Sequence, residues 1–275
     1  WGQGVRRMAG RFGCWKREGR GERVAWRGAC DADCQTSLDL RKAMPEAGAE
    51  LSEIGRPCSD PSADGPVIQL AARRGLKAGA TLPRLFGMVK SFREQDNDTP
   101  VSLMGYLNPI EAYGLDRFCV DAAAAGVDGL IIVDMPPEEA GPMQGPVKAA
   151  GLDIIRLIAP TTDDNRLKLV LSHASGFVYY VSITGITGTR SASDEDLRAA
   201  LPRIRAVTDL PIAIGFGIRT PKQAASASRI ADGAVVASAL LATLAKTLDP
   251  SEQATPSTLP SVLTQLQELA AAVRG

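Results

Sequence analysis

The chain has 275 residues with 31 Lys plus Arg and 31 Asp plus Glu, so its formal net charge is zero, and its calculated pI is about 6.8. A balanced charge provides no field for nucleic acid or an anionic membrane, and no apolar run approaches the roughly 20 residues that cross a bilayer. We therefore expect a small-molecule or protein partner, and no binding to nucleic acid or to a membrane.

The metal and disulfide chemistry of the chain is expected to be sparse. Its five cysteines stand at positions 14, 30, 34, 58 and 119. Their number is odd and they form no Cys-x-x-Cys pair, which argues against a disulfide framework or a zinc site. The single histidine, His173, lies in a helical pattern and is expected at the surface. With no signal-peptide pattern among the first residues, we expect a reducing cytoplasm, no metal and no cofactor.

The predicted elements alternate along the chain. One sequence pattern recurs: a helix-like stretch ends in Ala-Gly or Ala-Asp-Gly, and an apolar run follows. Its glycines are Gly48, Gly126, Gly151 and Gly233. Glycine supplies a left-handed helix stop, and continuous Val/Ile/Leu runs are typical of parallel strands buried on both faces. The eight predicted strands are Arg23–Arg27, Leu51–Ile54, Val101–Gly105, Leu130–Val133, Ile154–Ile158, Phe177–Val181, Ile212–Gly215 and Ala234–Val236. Helical patterns lie near 36–46, 67–95 in two pieces, 110–124, 137–149, 163–174, 194–207, 220–230, 239–246 and 258–273.

Eight strands alternating with helices predict an α/β fold, a single (β/α)8 TIM barrel with its site at the carboxyl ends of the strands. The alternative is an open doubly wound sheet. We assign residues 1–20, which are basic and Gly-rich, to an N-terminal segment that caps the barrel, and 21–248 to the barrel itself. Residues 249–275 are assigned to a Pro/Ser/Thr-rich linker and a C-terminal helix.

Three acids stand at the end of the second predicted strand and on the loop after it, which Gly and Pro stiffen. Glu53 stands at the strand end, and Asp60 and Asp64 lie on the loop. A carboxylate at a barrel strand end is costly to desolvate unless it pairs or transfers protons, which favours a catalytic role. The alternative is that they are solvated loop acids, with Asp60 forming a turn before Pro61 and Asp64 capping the next helix.

Loops of small residues, mostly glycine, follow the last three strands at the same end of the barrel. They stand in Gly185-Ile186-Thr187-Gly188 and Gly215-Phe216-Gly217-Ile218, and the eighth strand is followed by Ala237-Ser238. Unobstructed backbone amides ahead of helix N-termini bind anions, and the loops after strands seven and eight are a common phosphate position. These loops predict a phosphorylated substrate, with tight strand-to-helix packing as the alternative.

Polar side chains at other strand ends are candidates to line a pocket. They are Tyr106, Asn108, Asp134 and Tyr179. Because aromatic residues favour strands, Tyr179 can also be a strand residue without a functional role.

Taken together, Glu53, the run Ser59-Asp60-Pro61-x-Ala63-Asp64-Gly65-Pro66, Leu103-Met104-Gly105-Tyr106-x-Asn108-Pro109-Ile110 and the glycine loops closely resemble the tryptophan synthase alpha subunit family, over about residues 11–247. The resemblance implies a lyase of tryptophan biosynthesis that cleaves indole-3-glycerol phosphate to indole and glyceraldehyde 3-phosphate by a retro-aldol reaction. It also implies an α2β2 heterotetramer with a pyridoxal-phosphate-dependent beta subunit.

The resemblance assigns roles position by position. Glu53 matches the family's general acid/base and Asp64 its second catalytic carboxylate. Ser59 and Asp60 match the loop that faces the beta subunit. The positions that match substrate-binding residues are Tyr106, Tyr179, Thr187, Gly188, Gly217, Ala237 and Ser238.

The chain departs from the family pattern mainly in its first two strand-and-helix units. Arg56-Pro57-Cys58 replaces a small apolar residue, Pro and Phe, Arg27 places a cation in a barrel strand, and Ala237 replaces a glycine. These departures support an alternative in which the barrel is weakly active or inactive and serves mainly to bind and activate the beta subunit. Another phosphate-binding barrel, such as an isomerase or epimerase, does not account for the motif after the second strand.

Overall fold

A computed structural model describes residues 7–13, 22–182, 193–215 and 217–274. The described residues form nine strands in one sheet, and every strand pairing is parallel. The strands are β1 (Glu22–Gly28), β2 (Leu51–Gly55), β3 (Val101–Gly105), β4 (Gly129–Ile132), β5 (Asp153–Ile154), β6 (Arg156–Ile158), β7 (Val178–Val181), β8 (Ile212–Gly215) and β9 (Gly233–Val236).

The sheet closes into a barrel of eight positions. Its order is β5-β4-β3-β2-β1-β9-β8-β7-β6, and only Ile155 separates β5 from β6. The two short strands therefore form one barrel strand, which joins the two ends of the sheet into a ring. The predicted (β/α)8 barrel is confirmed, and the open doubly wound sheet is wrong.

Helices surround the ring. They are α1 (7–13), α2 (Cys34–Ala43), α3 (Pro66–Lys77), α4 (Leu82–Arg93), α5 (Leu107–Tyr113), α6 (Leu115–Ala125), α7 (Gly141–Ala150), α8 (Asp164–Leu171), α9 (Asp194–Arg205), α10 (Pro221–Ile230), α11 (Ser238–Lys246) and α12 (Thr258–Arg274), with a 3-10 turn at Pro137–Glu139. Within the described ranges, none of these helices is both long and apolar enough to cross a membrane.

Glycine conformation accounts for where the helices stop. Gly126 and Gly151 end α6 and α7 in the left-handed conformation predicted for them, with φ of 98° and 70°. Gly48 also has a positive φ, 103°, but α2 already ends at Ala43 and is capped by Met44, so the predicted stop at Gly48 is wrong. The fourth expected stop is wrong, because α10 ends at Ala231 in extended conformation and Gly233 is already the first residue of β9. The single helix predicted over 110–124 is also divided, because Gly114, with φ 94° and ψ 121°, ends α5 and starts α6.

Side chains alternate between the two faces of the barrel strands. Val24 and Trp26 belong to the cluster inside the ring, whereas Ala25 packs outward under the helices. Met8 and Phe12 of α1 join the interior cluster, and the Phe12 ring lies 5.4 Å from that of Phe177. At the far end of the chain, α12 packs its buried side chains into the outer cluster that covers β1 and β9.

One cysteine pair contradicts the expectation of no disulfide. Cys30 and Cys34 are bonded, with their Cα atoms 3.9 Å apart. The loop after β1 takes positive φ at Cys30 and Ala32, 57° and 70°, and this turn brings Cys30 back to the first residue of α2. The spacing of the two cysteines in the sequence does not reveal such a turn. Because the disulfide is present, the cysteines no longer support the expectation of a reducing compartment. Cys58 and Cys119 are free thiols.

Buried arginines line the outer face of the first two strands. Arg27 is 2% exposed, and its three guanidinium nitrogens have no hydrogen-bond partner among the described residues. Burial lowers the pKa of Arg27 to about 10, although the charge of Asp31 opposes the shift. Asp31 is already held by Arg74, at 2.6 Å. Within the described residues, no direct ion pair therefore offsets the cost of burying the Arg27 charge.

We predict that Arg27→Met stabilises the protein. Replacing a buried, poorly compensated charge by an apolar side chain of similar volume is expected to raise the free energy of unfolding by about 1–4 kcal/mol. The matched control is Arg23→Met on the same strand, because Arg23 is equally buried but pairs with Glu50 and donates to the Gly48 carbonyl oxygen at 2.7 Å. That change is expected to cost about 3–5 kcal/mol. Urea unfolding checks both values, and equal losses would show that Arg27 has a partner in solution.

Candidate active site

The acid with the most unusual surroundings is Glu53, on the inner face of β2. Because β2 runs to Gly55, Glu53 lies two residues inside the strand, deeper than its predicted place at the strand end. In the parallel register it stands opposite Trp26 of β1 and Ser102 of β3. It is fully buried, and among the described residues neither carboxyl oxygen has a hydrogen-bond partner. A carboxyl group held in this way resists ionisation.

Burial raises the pKa of Glu53 to about 8. Desolvation penalises only the charged form, and the described surroundings supply no cation or donor that would offset the penalty. At neutral pH the group is therefore mainly a carboxylic acid. That protonation state suits a group that must first donate a proton and then accept one.

Tyr179 of β7 is close enough to Glu53 to feel its charge. It is 2% exposed, and its pKa is raised well above the ordinary value, first by burial and second by the charge of Glu53. Its hydroxyl lies over Gly215 of β8, where a Cβ atom would stand 2.5 Å from the tyrosine oxygen. Both side chains belong to the interior of the ring.

Asp64 and Tyr106 form a second pair, nearer the mouth. The Tyr106 hydroxyl donates to Asp64 Oδ2 at 3.1 Å and accepts from the Ala63 amide at 3.0 Å. Burial raises the pKa of Asp64, and the Tyr106 hydrogen bond opposes the shift. The alternative role of Asp64 as a helix cap is not observed, because α3 starts after Gly65 and no described side chain caps it.

A small pocket opens between the ends of the first four strands. Described residues in its wall include Trp26, Gly55, Asp64, Met104, Tyr106 and Val133, and its free volume is about 20 Å³. Flat apolar walls with one carboxylate suit an aromatic ring that carries an N–H donor. Arg56 lies half-buried on the rim, with its side chain against Gly105.

The glycine loops lie partly within the described residues. Gly217 is half-buried with φ 84°, and Ser238 is the first residue of α11. Ala237 has φ −122° and ψ −77°, so it avoids the positive φ that only glycine adopts easily. Within the described residues no side chain caps α11, which leaves its first amides directed toward the mouth. Thr187 and Gly188 lie outside the described residues, as does Phe216.

Two other candidate groups sit apart from the pocket. Ser59 and Asp60 are exposed on the loop after β2, and their side chains hydrogen-bond each other at 3.2 Å. Asp134, expected to line a pocket, is exposed and accepts from the Leu107 amide at 2.7 Å, so it caps α5. Asp134 does follow β4 as expected, but its carboxylate accepts a backbone hydrogen bond at the start of α5.

The structure thus brings Glu53 near Tyr179 and Asp64 onto Tyr106. Trp26 stands opposite Glu53 in the register and also lines the pocket of Asp64 and Tyr106. The sequence interpretation does not identify Trp26 and Ser102 as parts of the site. Strand alternation places both on the inner face, but their position beside Glu53 depends on the register between strands, which a single sequence does not show.

A buried acid and a second carboxylate at the carboxyl ends of a closed parallel barrel define an enzyme of the (β/α)8 class. The family model described as tryptophan synthase alpha chain matches residues 12–273. The chain belongs to this family, whose members are lyases of tryptophan biosynthesis.

Relatives in sequence and structure agree over almost the whole chain. It is 66% identical to the tryptophan synthase alpha chain of Gluconacetobacter diazotrophicus and 64% identical to that of Gluconobacter oxydans, covering 98% of this chain and 98% and 99% of theirs. Among solved structures, tryptophan synthase subunit alpha from Legionella pneumophila superposes with a TM-score of 0.88 at 34% identity, covering 98% of both chains. A Mycobacterium tuberculosis tryptophan synthase chain gives a TM-score of 0.86 at 33% identity, also with 98% of both chains covered.

We predict that Glu53 gives the folded state a distinctive pH dependence. Its pKa is raised from 4.5 to about 8 on folding, so the native state retains a proton that the unfolded state loses. Stability is therefore highest below the unfolded pKa and falls by about 1.4 kcal/mol for each pH unit as pH rises from that value toward the folded one. Urea unfolding at intervals between pH 5 and pH 8 should show that Glu53→Gln removes this decline. Asp153, whose pKa burial raises to about 6, contributes equally to both proteins. Parallel curves would contradict the prediction.

We also predict that Tyr106→Phe loosens the loop after β2. The change leaves Asp64 and the Ala63 amide without the hydroxyl, at an expected cost of about 1–3 kcal/mol. Loss of the donor should also raise the pKa of Asp64, which carboxyl NMR titration measures. Tyr113→Phe is the control, because its hydroxyl donates at 2.6 Å to the surface residue Asp121 and its loss should cost less. Equal losses would mean that the Tyr106 bond is not buried in solution.

Proposed function

We propose that this chain cleaves indole-3-glycerol phosphate to indole and glyceraldehyde 3-phosphate by a retro-aldol reaction, as part of an α2β2 complex with a beta subunit. The observation that carries the proposal is the fully buried carboxyl of Glu53 on the inner face of β2, close to a pocket that holds Asp64 against Tyr106. Burial raises the pKa of Glu53, which favours the protonated form that the reaction needs. Family membership supports the same reaction.

The chemistry requires two proton transfers, and one residue can perform both. Glu53 donates its proton to the indole carbon that bears the side chain, which turns the ring into a leaving group. The resulting carboxylate accepts the proton of the glycerol hydroxyl as the carbon-carbon bond breaks and its electrons return to the ring. The hydroxyl carbon becomes the aldehyde of glyceraldehyde 3-phosphate, and Glu53 regains its proton.

Asp64 would stabilise the intermediate. Protonation at carbon leaves positive charge on the indole nitrogen, and a carboxylate that accepts the N–H hydrogen bond lowers the energy of that charge in a dry pocket. Tyr106 fixes the direction in which the carboxylate points, because one Asp64 oxygen accepts its hydroxyl. The first amides of α11 and the loop at Gly217 would hold the phosphate.

The second function, a barrel that mainly binds and activates the beta subunit, is favoured by one observation. In the present conformation the pocket has a free volume of about 20 Å³, room for about one water, and the described residues in its wall do not include Glu53. The exposed pair Ser59 and Asp60 would belong to the surface that contacts the beta subunit in either case.

The deciding experiment is indole release from indole-3-glycerol phosphate, measured with and without a beta subunit. We predict that Glu53→Gln and Asp64→Asn each lose about 10²–10⁴-fold in kcat with the fold intact, because each removes a group needed only during reaction. Glu46→Gln, an exposed acid on the turn after α2, should retain the wild-type rate and serves as control.

The outcomes separate the two functions. An unchanged rate in Glu53→Gln, with normal melting, contradicts the lyase mechanism. A wild-type chain that releases no indole but still accelerates the beta reaction supports the activator.

A further inference from the structure

The ring of Trp26 lies over Gly55, one inward-facing position beyond Glu53 on β2. Trp26 stands opposite Glu53 in the register, and its side chain leans toward the mouth, onto Gly55 of the neighbouring strand. A Cβ atom on Gly55 would lie 2.0 Å from Cζ2 and 2.8 Å from Cη2 of the tryptophan ring. Because Gly55 is the next inward-facing residue after Glu53, the ring lies between the acid and the opening.

This position divides the site. The pocket that contains Asp64 and Tyr106 is bounded by Trp26, and its described wall does not include Glu53. A space of about 20 Å³ does not admit a bicyclic ring. Through this pocket, a ligand with an indole group can therefore reach Glu53 only after the Trp26 ring has left its position over Gly55.

No polar contact among the described residues holds the ring there. Trp26 is 5% exposed, and its Nε1–H has no hydrogen-bond partner in the described part of the chain. The carboxyl oxygens of Glu53 beside it are likewise without a partner within the described ranges. Within the described residues, only apolar packing keeps the ring over Gly55, so a second flat apolar group of similar size can replace it there without breaking a described hydrogen bond.

We propose that Trp26 is a specificity-determining residue whose indole ring covers Glu53 and is displaced by the aromatic ring of the ligand. The inference rests on the proposed function for the identity of that ligand. An aromatic ligand binds in this pocket only to molecules in which the ring has moved away. The apparent affinity therefore equals the intrinsic affinity multiplied by the fraction of molecules that are uncovered. A smaller side chain at position 26 removes this reduction, and only ligands with a ring benefit.

The test is Trp26→Phe. With an uncovered state populated at about 10% or less, we expect about a tenfold or larger decrease in KM for indole-3-glycerol phosphate and a much smaller change in kcat. The dissociation constant of indole-propanol phosphate, an unreactive analogue, should fall by the same factor. Glycerol phosphate, which lacks the ring, should bind the two proteins equally.

Two further variants keep the result interpretable. Trp26→Leu provides a second small side chain in case Trp26→Phe folds poorly. Phe92→Leu is the matched control. Phe92 is fully buried in a separate cluster between α4, α6 and strands β3 and β4, away from the pocket, so its shortening should leave the analogue's dissociation constant unchanged.

The outcomes also separate this inference from the proposed function. Weaker analogue binding in Trp26→Phe, or an equal gain for glycerol phosphate, shows that Trp26 is a fixed wall and overturns the inference. Turnover in the wild type with no gain in the variant overturns it as well. A gain in analogue affinity without turnover in either protein supports Trp26 as a cover and rejects the lyase.

Discussion

The site depends on the cost of placing one carboxyl group inside a barrel without a described partner for either oxygen. Burial takes Glu53 out of bulk solvent, so the charged form is disfavoured and the pKa rises to about 8. In the reaction proposed above, this neutral acid is the form that protonates the substrate carbon. Any donor or cation added beside it would stabilise the carboxylate and weaken the acid, which is why the neighbouring apolar wall matters as much as the acid itself.

Strand alternation keeps cations away from this acid. Arg27 and Arg41 are both buried, but Arg27 stands on the outer face of β1 and Arg41 on α2, where it donates to Ser52 at 2.7 Å. The sheet lies between these guanidinium groups and the interior. A one-residue slip of β1 would turn Arg27 inward toward Glu53, where an ion pair would lower the pKa of the acid. The strand register therefore maintains the raised pKa of Glu53 as well as the packing of the core.

Much of this organisation could be predicted from residues, and the failures have physical causes. Continuous apolar runs mark the strands because a doubly buried strand must be apolar, and the acids after β2 stand out because carboxylates are costly there. The division of the helix at Gly114 and the disulfide at Cys30 depend on backbone conformations that composition does not determine. The hydrogen bond by which Asp134 caps α5 could not be predicted, because whether a carboxylate meets a backbone amide depends on where the neighbouring helix starts. The ring of Trp26 over Gly55 involves two strands, so no local pattern contains it.

Gly55 and Trp26 together show how a barrel mouth can change without a change of fold. Any side chain at position 55 would collide with the ring, so the glycine is what permits so large a residue at position 26. A large ring there adds apolar burial and seals Glu53 from water, which stabilises the closed barrel and raises the pKa of the acid. The same ring occupies the volume that an aromatic ligand needs. Stability and ligand affinity therefore compete for one space, and the side chain at position 26 sets the balance between them.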